Sequence, residues 1–143
     1  MKLLALRLCA HDSNVTYFDG EQLKYKSFER DFQVKHFGFE GVYAWTRLIE
    51  EWNIVPSEVD AIGIVLDSYV YNEIDADITK VTEIIEIPIF RDIGFTCNIH
   101  RIDHHYAHSL SFWPLGIEPT IILCLMDLVM IGCIVVFGEE INL

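Results

Sequence analysis

The sequence predicts an α/β fold built on a mixed sheet, in the order β-β-β-α-β-α-β-α, followed by an apolar strand pair. Three observations carry this reading. Two alternating segments flank Asp19-Gly20, a dipeptide suited to a tight hairpin turn. Val42, Trp45, Ile49 and Trp52 follow the i, i+3, i+7, i+10 spacing of one helix face. Ala61–Leu66 is an unbroken apolar run of strand length, set off by Pro56-Ser57.

Taken in order, Leu3–Cys9 reads as a buried strand, and His11-Asp12-Ser13-Asn14 as the polar loop at its end. Val15–Phe18 and Gln22–Phe28 form the hairpin, with Asp19-Gly20 expected to make a type I′ turn. Glu29–His36 is a polar stretch, followed by the helix that carries Trp45 and Trp52; both indoles are expected in the core. Residues 69–96 are ambiguous. Ile74, Ile78, Val81 and Ile85 have helical spacing in a β-branched segment, and Pro88 is expected to stop either element. Cys97–Ile102 is a further strand, and Asp103 is placed to cap a helix from His104, limited to about three turns by Pro114. Thr120–Met126 and Ile131–Phe137 complete the list as a strand and its return.

Composition narrows the function classes. A chain of 143 residues with 52% apolar and 22% charged side chains can bury one substantial core. Its formal charge of −12 repels phosphate backbones, so nucleic acid is not expected as a partner. Only four apolar residues follow Lys2 before Arg7, too few for a secretory signal. Cys9, Cys97, Cys124 and Cys133 have neither zinc-finger nor redox-pair spacing, which favours buried free thiols and a cytoplasmic location. Between Ile121 and Phe137 the only charge is Asp127. The length borders on a membrane span, but the β-branched content and Gly132 favour buried strands, so no membrane is expected.

Three groups of residues could carry chemistry. His104 and His108 are one helical turn apart, so two imidazole nitrogens can chelate a metal, with Asp127 as a further donor; a surface histidine pair is the plainer alternative. His11 and Asp12 stand at a strand end, where an acid/base histidine and its carboxylate would meet substrate; a local turn of Asp12 with Ser13 and Asn14 is the plainer alternative. Arg30, Lys35 and His36 make a positive island near Gly38 and Gly41, suited to an anion or to an ordinary solvated loop.

His11-Asp12-Ser13, Phe28-Glu29-Arg30, Lys35-His36 and Asp103-His104-His105-Tyr106-Ala107-His108 occur in this order. The set resembles the N-terminal region of the carbamoyltransferases that tailor antibiotics and nodulation factors. These are relatives of hydrogenase-maturation and tRNA threonylcarbamoylation proteins. The resemblance spans roughly residues 3–127, and the Asp-His-His-x-Ala-His block is its most specific part. It implies a ribonuclease-H-like, actin-like ATPase layer over 1–119, with 120–143 beginning a truncated second lobe. It implies an iron-like or zinc-like metal on His104, His108 and Asp127, ATP as a further cofactor, and His11, Asp12 and Lys35 at the reaction centre. Arg30, Lys35 and His36 would hold carbamoyl phosphate, whose carbamoyl group passes through an adenylate to a substrate hydroxyl.

Where the family has a glycine-containing phosphate loop, this chain reads Asp127-Leu128-Val129-Met130-Ile131-Gly132. The expectation is therefore an incomplete site, needing a second lobe or a homo-oligomer and giving no turnover alone. A non-catalytic fragment or small metal-binding subunit is the alternative.

Overall fold

The structure is a computed structural model that describes residues 1–8, 12–35, 37, 45–65, 80–109, 121–124 and 133–136. The chain divides into two compact units, Met1–Ile102 and Asp103–Leu143. In the first lie β1 (Leu3–Arg7), β2 (Asn14–Phe18), β3 (Leu23–Ser27), α1 (Phe28–Phe32) and α2 (Arg47–Glu51). A 3-10 turn (Pro56–Glu58), β4 (Ala61–Val65), β5 (Thr82–Ile85), α3 (Pro88–Ile93) and β6 (Asn98–Ile102) complete that unit. The second contains α4 (His104–Ser109), β7 (Ile121–Cys124) and β8 (Cys133–Val136). This is a mixed α/β protein. Among the described residues no helix is long and apolar enough to cross a membrane.

The first unit holds a six-stranded sheet in the order β3-β2-β1-β4-β6-β5. β1, β2 and β3 pair antiparallel, β4 and β6 run parallel to β1, and β5 returns antiparallel along β6. Alternate residues face the core, as a half-buried sheet requires. One cross-strand row reads Tyr17, Leu4, Ile62, Ile99, Ile85, and the next reads Val15, Leu6, Ile64, Arg101, Glu83. Phe28, Trp45, Leu48, Phe90 and Phe95 join these rows in a single apolar cluster. Each fully buried large side chain contributes roughly 1.5–3 kcal/mol.

The hairpin turn differs from the expected one. Its central residues are Gly20 and Glu21, since Phe18 pairs with Leu23 and Asp19 N–H bonds to the Gln22 carbonyl at 3.1 Å. Gly20 has φ 109 and Glu21 has no positive φ, so one left-handed residue suffices where a type I′ turn needs two. Asp19 instead accepts the main-chain N–H groups of Glu21 and Gln22 at 2.9 and 2.8 Å. This turn puts Leu23 and Tyr25 in water, while Lys24 and Lys26 face the core side. There Lys24 Nζ donates to the Trp52 carbonyl at 3.0 Å, and Lys26 pairs with Asp31 at 2.8 Å.

The two amide donors hold the Asp19 carboxyl below its ordinary value of 3.8. A depressed folded-state value means that the turn is supported at neutral pH and loses that support as pH falls through it. An NMR titration is therefore expected to place the Asp19 midpoint below 3.8. A midpoint at or above that value would show that the turn is not closed by the carboxylate.

Other elements also depart from expectation. The stretch read as a polar loop opens with α1, which ends at Gln33 in a left-handed conformation (φ 54). The helix expected around Trp45 is α2, described from Arg47, with Trp45 in the turn before it. Pro88 does not stop an element; it opens α3, where a missing N–H costs nothing. Gly94 closes that helix with φ 106. In the ambiguous segment, β5 follows Val81; Ile74 and Ile78 lie outside the described residues.

Candidate metal and anion sites

The sharpest local geometry is on α4. Asp103 caps it, accepting the Tyr106 N–H on Oδ1 at 2.9 Å, while its carbonyl receives the Ala107 N–H at 2.9 Å. With its start fixed, the helix stacks His104 and His108 one turn apart. Their Nε2 atoms are 3.0 Å apart, and the rings meet edge to face at 4.5 Å and 81°. In a metal-free pair one nitrogen donates a proton to the other. A shared ion would require both imidazoles as the Nδ1–H tautomer, each offering Nε2. At metal–nitrogen distances of about 2.0–2.1 Å, a 3.0 Å separation gives a bite of roughly 90–100°. The separation alone matches that of two nitrogens on one ion. Asp127, the third expected donor, lies outside the described residues, among which no cluster of three or more His, Cys, Asp or Glu side chains is found.

A second assembly lies in the first unit. Asp12, at φ 55, is a left-handed residue in the loop after β1, and its carbonyl accepts from Asn14 Nδ2 at 2.8 Å. Ser13 is fully buried and ties three segments together. Its N–H bonds to the Phe37 carbonyl at 3.0 Å, and its carbonyl accepts the Phe28 N–H at 3.1 Å. The loop after β1 is thereby fastened to both ends of the stretch that carries Arg30 and Lys35. His11 and His36 lie outside the described residues.

Arg30 and Lys35 are both exposed. Of the ten Lys and Arg side chains, they are the two with no partner among the described residues. The others are engaged, as in Lys2–Glu58, Lys26 and Arg47 on Asp31, Lys80–Glu83 and Arg91–Glu86. Phe32 and Phe37 stack at 4.4 Å across the turn between the two free cations. A basic pair left over in a chain of charge −12 can take an anion, although exposure keeps each contact weak.

Sequence reasoning missed Arg7 and Arg101, strand residues whose side chains are buried on the sheet. The signal was present: Arg101 alternates with Ile99 at an inward position. It also missed the pairing of Cys124 with Cys133, which strand register sets directly opposite each other. Cys97 is a free, partly buried thiol, pushed up by burial.

Compared with family models, with curated proteins and with solved structures, the chain has no match.

Proposed function

We propose that this chain carries the metal-binding and carbamoyl-phosphate-binding portion of a carbamoyltransferase, on a ribonuclease-H-like layer. The observation that carries the reading is the His104–His108 pair, 3.0 Å apart on a helix capped by the Asp103 of the same Asp-His-His-x-Ala-His block. Two further features support it. The sheet opens with three antiparallel strands and adds two parallel ones on the far side of β1, an order that agrees with such a layer. Arg30 and Lys35, the uncommitted cations, hang from the segment fastened by Ser13 to the loop of Asp12.

In this reading the histidine pair holds a divalent ion that would neutralise charge on nucleotide phosphates. Arg30 and Lys35, with His36 beside them, bind the phosphate of carbamoyl phosphate. Asp12 and His11 orient the reacting group and move its proton. ATP and a hydroxyl acceptor are the other reactants. A non-catalytic metal-binding subunit is the second reading, favoured by Leu128-Val129-Met130 where a phosphate loop needs small residues.

Metal analysis of protein purified without chelator tests the first part. Near-stoichiometric metal is expected in the parent and little in His104→Ala or His108→Ala; equal content in all three would refute the assignment. Calorimetric titration with carbamoyl phosphate separates the two readings. Heat that disappears in Lys35→Ala supports the transferase, whereas no binding by the metal-loaded parent leaves only the subunit.

A further inference from the structure

Arg30 lies on α1 and Lys35 in the turn that follows it, and both segments are held by contacts that involve neither cation. α1 is fixed from its inner side. Phe28 is fully buried with the Arg47 guanidinium over its ring at 5.7 Å, and Asp31 takes Lys26 and Arg47 at 2.8 and 3.1 Å. The turn leaves the helix through Gln33 at φ 54, a left-handed conformation that a residue with a Cβ keeps only where its surroundings enforce it. Two features supply that enforcement. The Phe32 and Phe37 rings stack at 4.4 Å and 18°, closing the four residues between them into one turn. Phe37 is itself anchored, because its carbonyl accepts the Ser13 N–H at 3.0 Å and its ring packs against the core cluster. Phe32 stays 45% exposed, so the stack adds little to the core; what it fixes is the turn.

We propose that Phe32 and Phe37 are positioning residues: their stack keeps the turn of Lys35 closed against α1, so that Arg30 and Lys35 are arranged for a phosphate-bearing anion before it arrives. The proposal rests on the reading of Arg30 and Lys35 as phosphate-binding cations. Both are exposed, so each contact with an anion is weak, and affinity depends on how much ordering is left to do on binding. A lysine on an open turn gives up backbone and side-chain freedom to reach the anion, whereas on a closed turn it gives up side-chain freedom alone. The apparent dissociation constant therefore rises as the fraction of molecules with a closed turn falls. A stacked aromatic pair shifts such a balance by about 2–10-fold, which sets the size of the effect.

Titration of the full-length chain at low ionic strength, followed through the amide NMR signals of Arg30 and Lys35, tests this directly. Inorganic phosphate and carbamoyl phosphate are the probes, and each is expected to give saturable shifts at both residues in the parent. Phe32→Ala should weaken binding by about 2–10-fold, and Phe32→Tyr, which keeps the stack, should restore the parent affinity. Gln33→Val should weaken binding as well, because a β-branched side chain rejects the left-handed turn while both rings and both cations stay in the chain. Ionic strength separates positioning from charge. Lys35→Ala should flatten the salt dependence of binding, whereas Phe32→Ala should keep the slope of the parent.

Parent affinity retained in Phe32→Ala, or in Gln33→Val, overturns this proposal while the phosphate-binding reading stands. A loss in Phe32→Ala that Phe32→Tyr does not restore overturns it as well, since the ring would then act through something other than the stack. Absence of shifts at Arg30 and Lys35 in the parent defeats the phosphate-binding reading and the proposal together. Should Phe32→Ala fail to fold, Phe32→Leu takes its place, filling much of the same space with no ring to stack; weakened binding supports the positioning role, and parent affinity refutes it.

Discussion

Replacing Trp45 by alanine is expected to cost about 3–5 kcal/mol, a large part of the roughly 5–15 kcal/mol that holds a domain folded. Trp45 is fully buried; its ring stacks on Phe90 at 5.4 Å and lies 6.4 Å from Phe95. Phe90 and Phe95 are themselves 5.8 Å apart, so the three rings form one block joining the turn before α2 to α3. Removing the indole leaves a void facing two rings that α3 and the turn after it hold in place. Trp45→Phe should cost less than Trp45→Ala, because it leaves the smaller void. It keeps a ring in place and removes an Nε1–H that has no acceptor among the described residues. Urea unfolding followed by far-ultraviolet circular dichroism measures both. A loss below about 1 kcal/mol for Trp45→Ala would mean that the aromatic block is not the centre of the core.

Arg101→Ala is the second large effect, expected at about 3 kcal/mol, the lower end for breaking a buried ion pair. The guanidinium is fully buried, donates to the Lys80 carbonyl, and lies 3.9 Å from Glu83, whose side chain is 18% exposed. Its removal strands a carboxylate and a carbonyl beneath the sheet edge. Lys80 Nζ still reaches Glu83 at 2.9 Å, which is why the loss stays at the lower end. Arg101→Met with Glu83→Gln should recover most of the stability, because a buried pair seldom outweighs an apolar isostere. A double-mutant cycle reads the coupling; additive losses would show that the two side chains do not interact in solution.

Much of the first unit was legible in the sequence because its signals are local. The strands at 3–7, 14–18 and 23–27 are each bounded by turn chemistry; in the second unit the Asp103 cap likewise needs only its own next four residues. What escaped depends on partners distant in the chain. β5 is a short edge strand whose Glu83 stands opposite Arg101 of β6, and α3 begins at a proline that serves equally well as a stop. The hairpin was placed correctly but its turn was offset by one residue, since Asp-Gly-Glu-Gln lets the Asp side chain replace a main-chain acceptor. For the candidate site, the histidine spacing was readable and its 3.0 Å geometry follows from the helix. The opposition of Cys124 and Cys133 was not, because the apolar pattern of two strands does not set their ladder register.

The lysines on β3 bear on how the protein behaves when crowded. Among the described residues β3 is one of the two edges of the sheet, a place where another chain could add a strand. Any added strand would turn a rim into an interior. Lys26, now 28% exposed at its side chain, and Lys24 would lose their remaining water on the core side. Withdrawing ammonium groups from solvent costs several kcal/mol per ion, more than a few main-chain hydrogen bonds return. The sheet thus carries its own limit on growth, and concentrated solutions should resist fibre formation along this edge while those two charges remain.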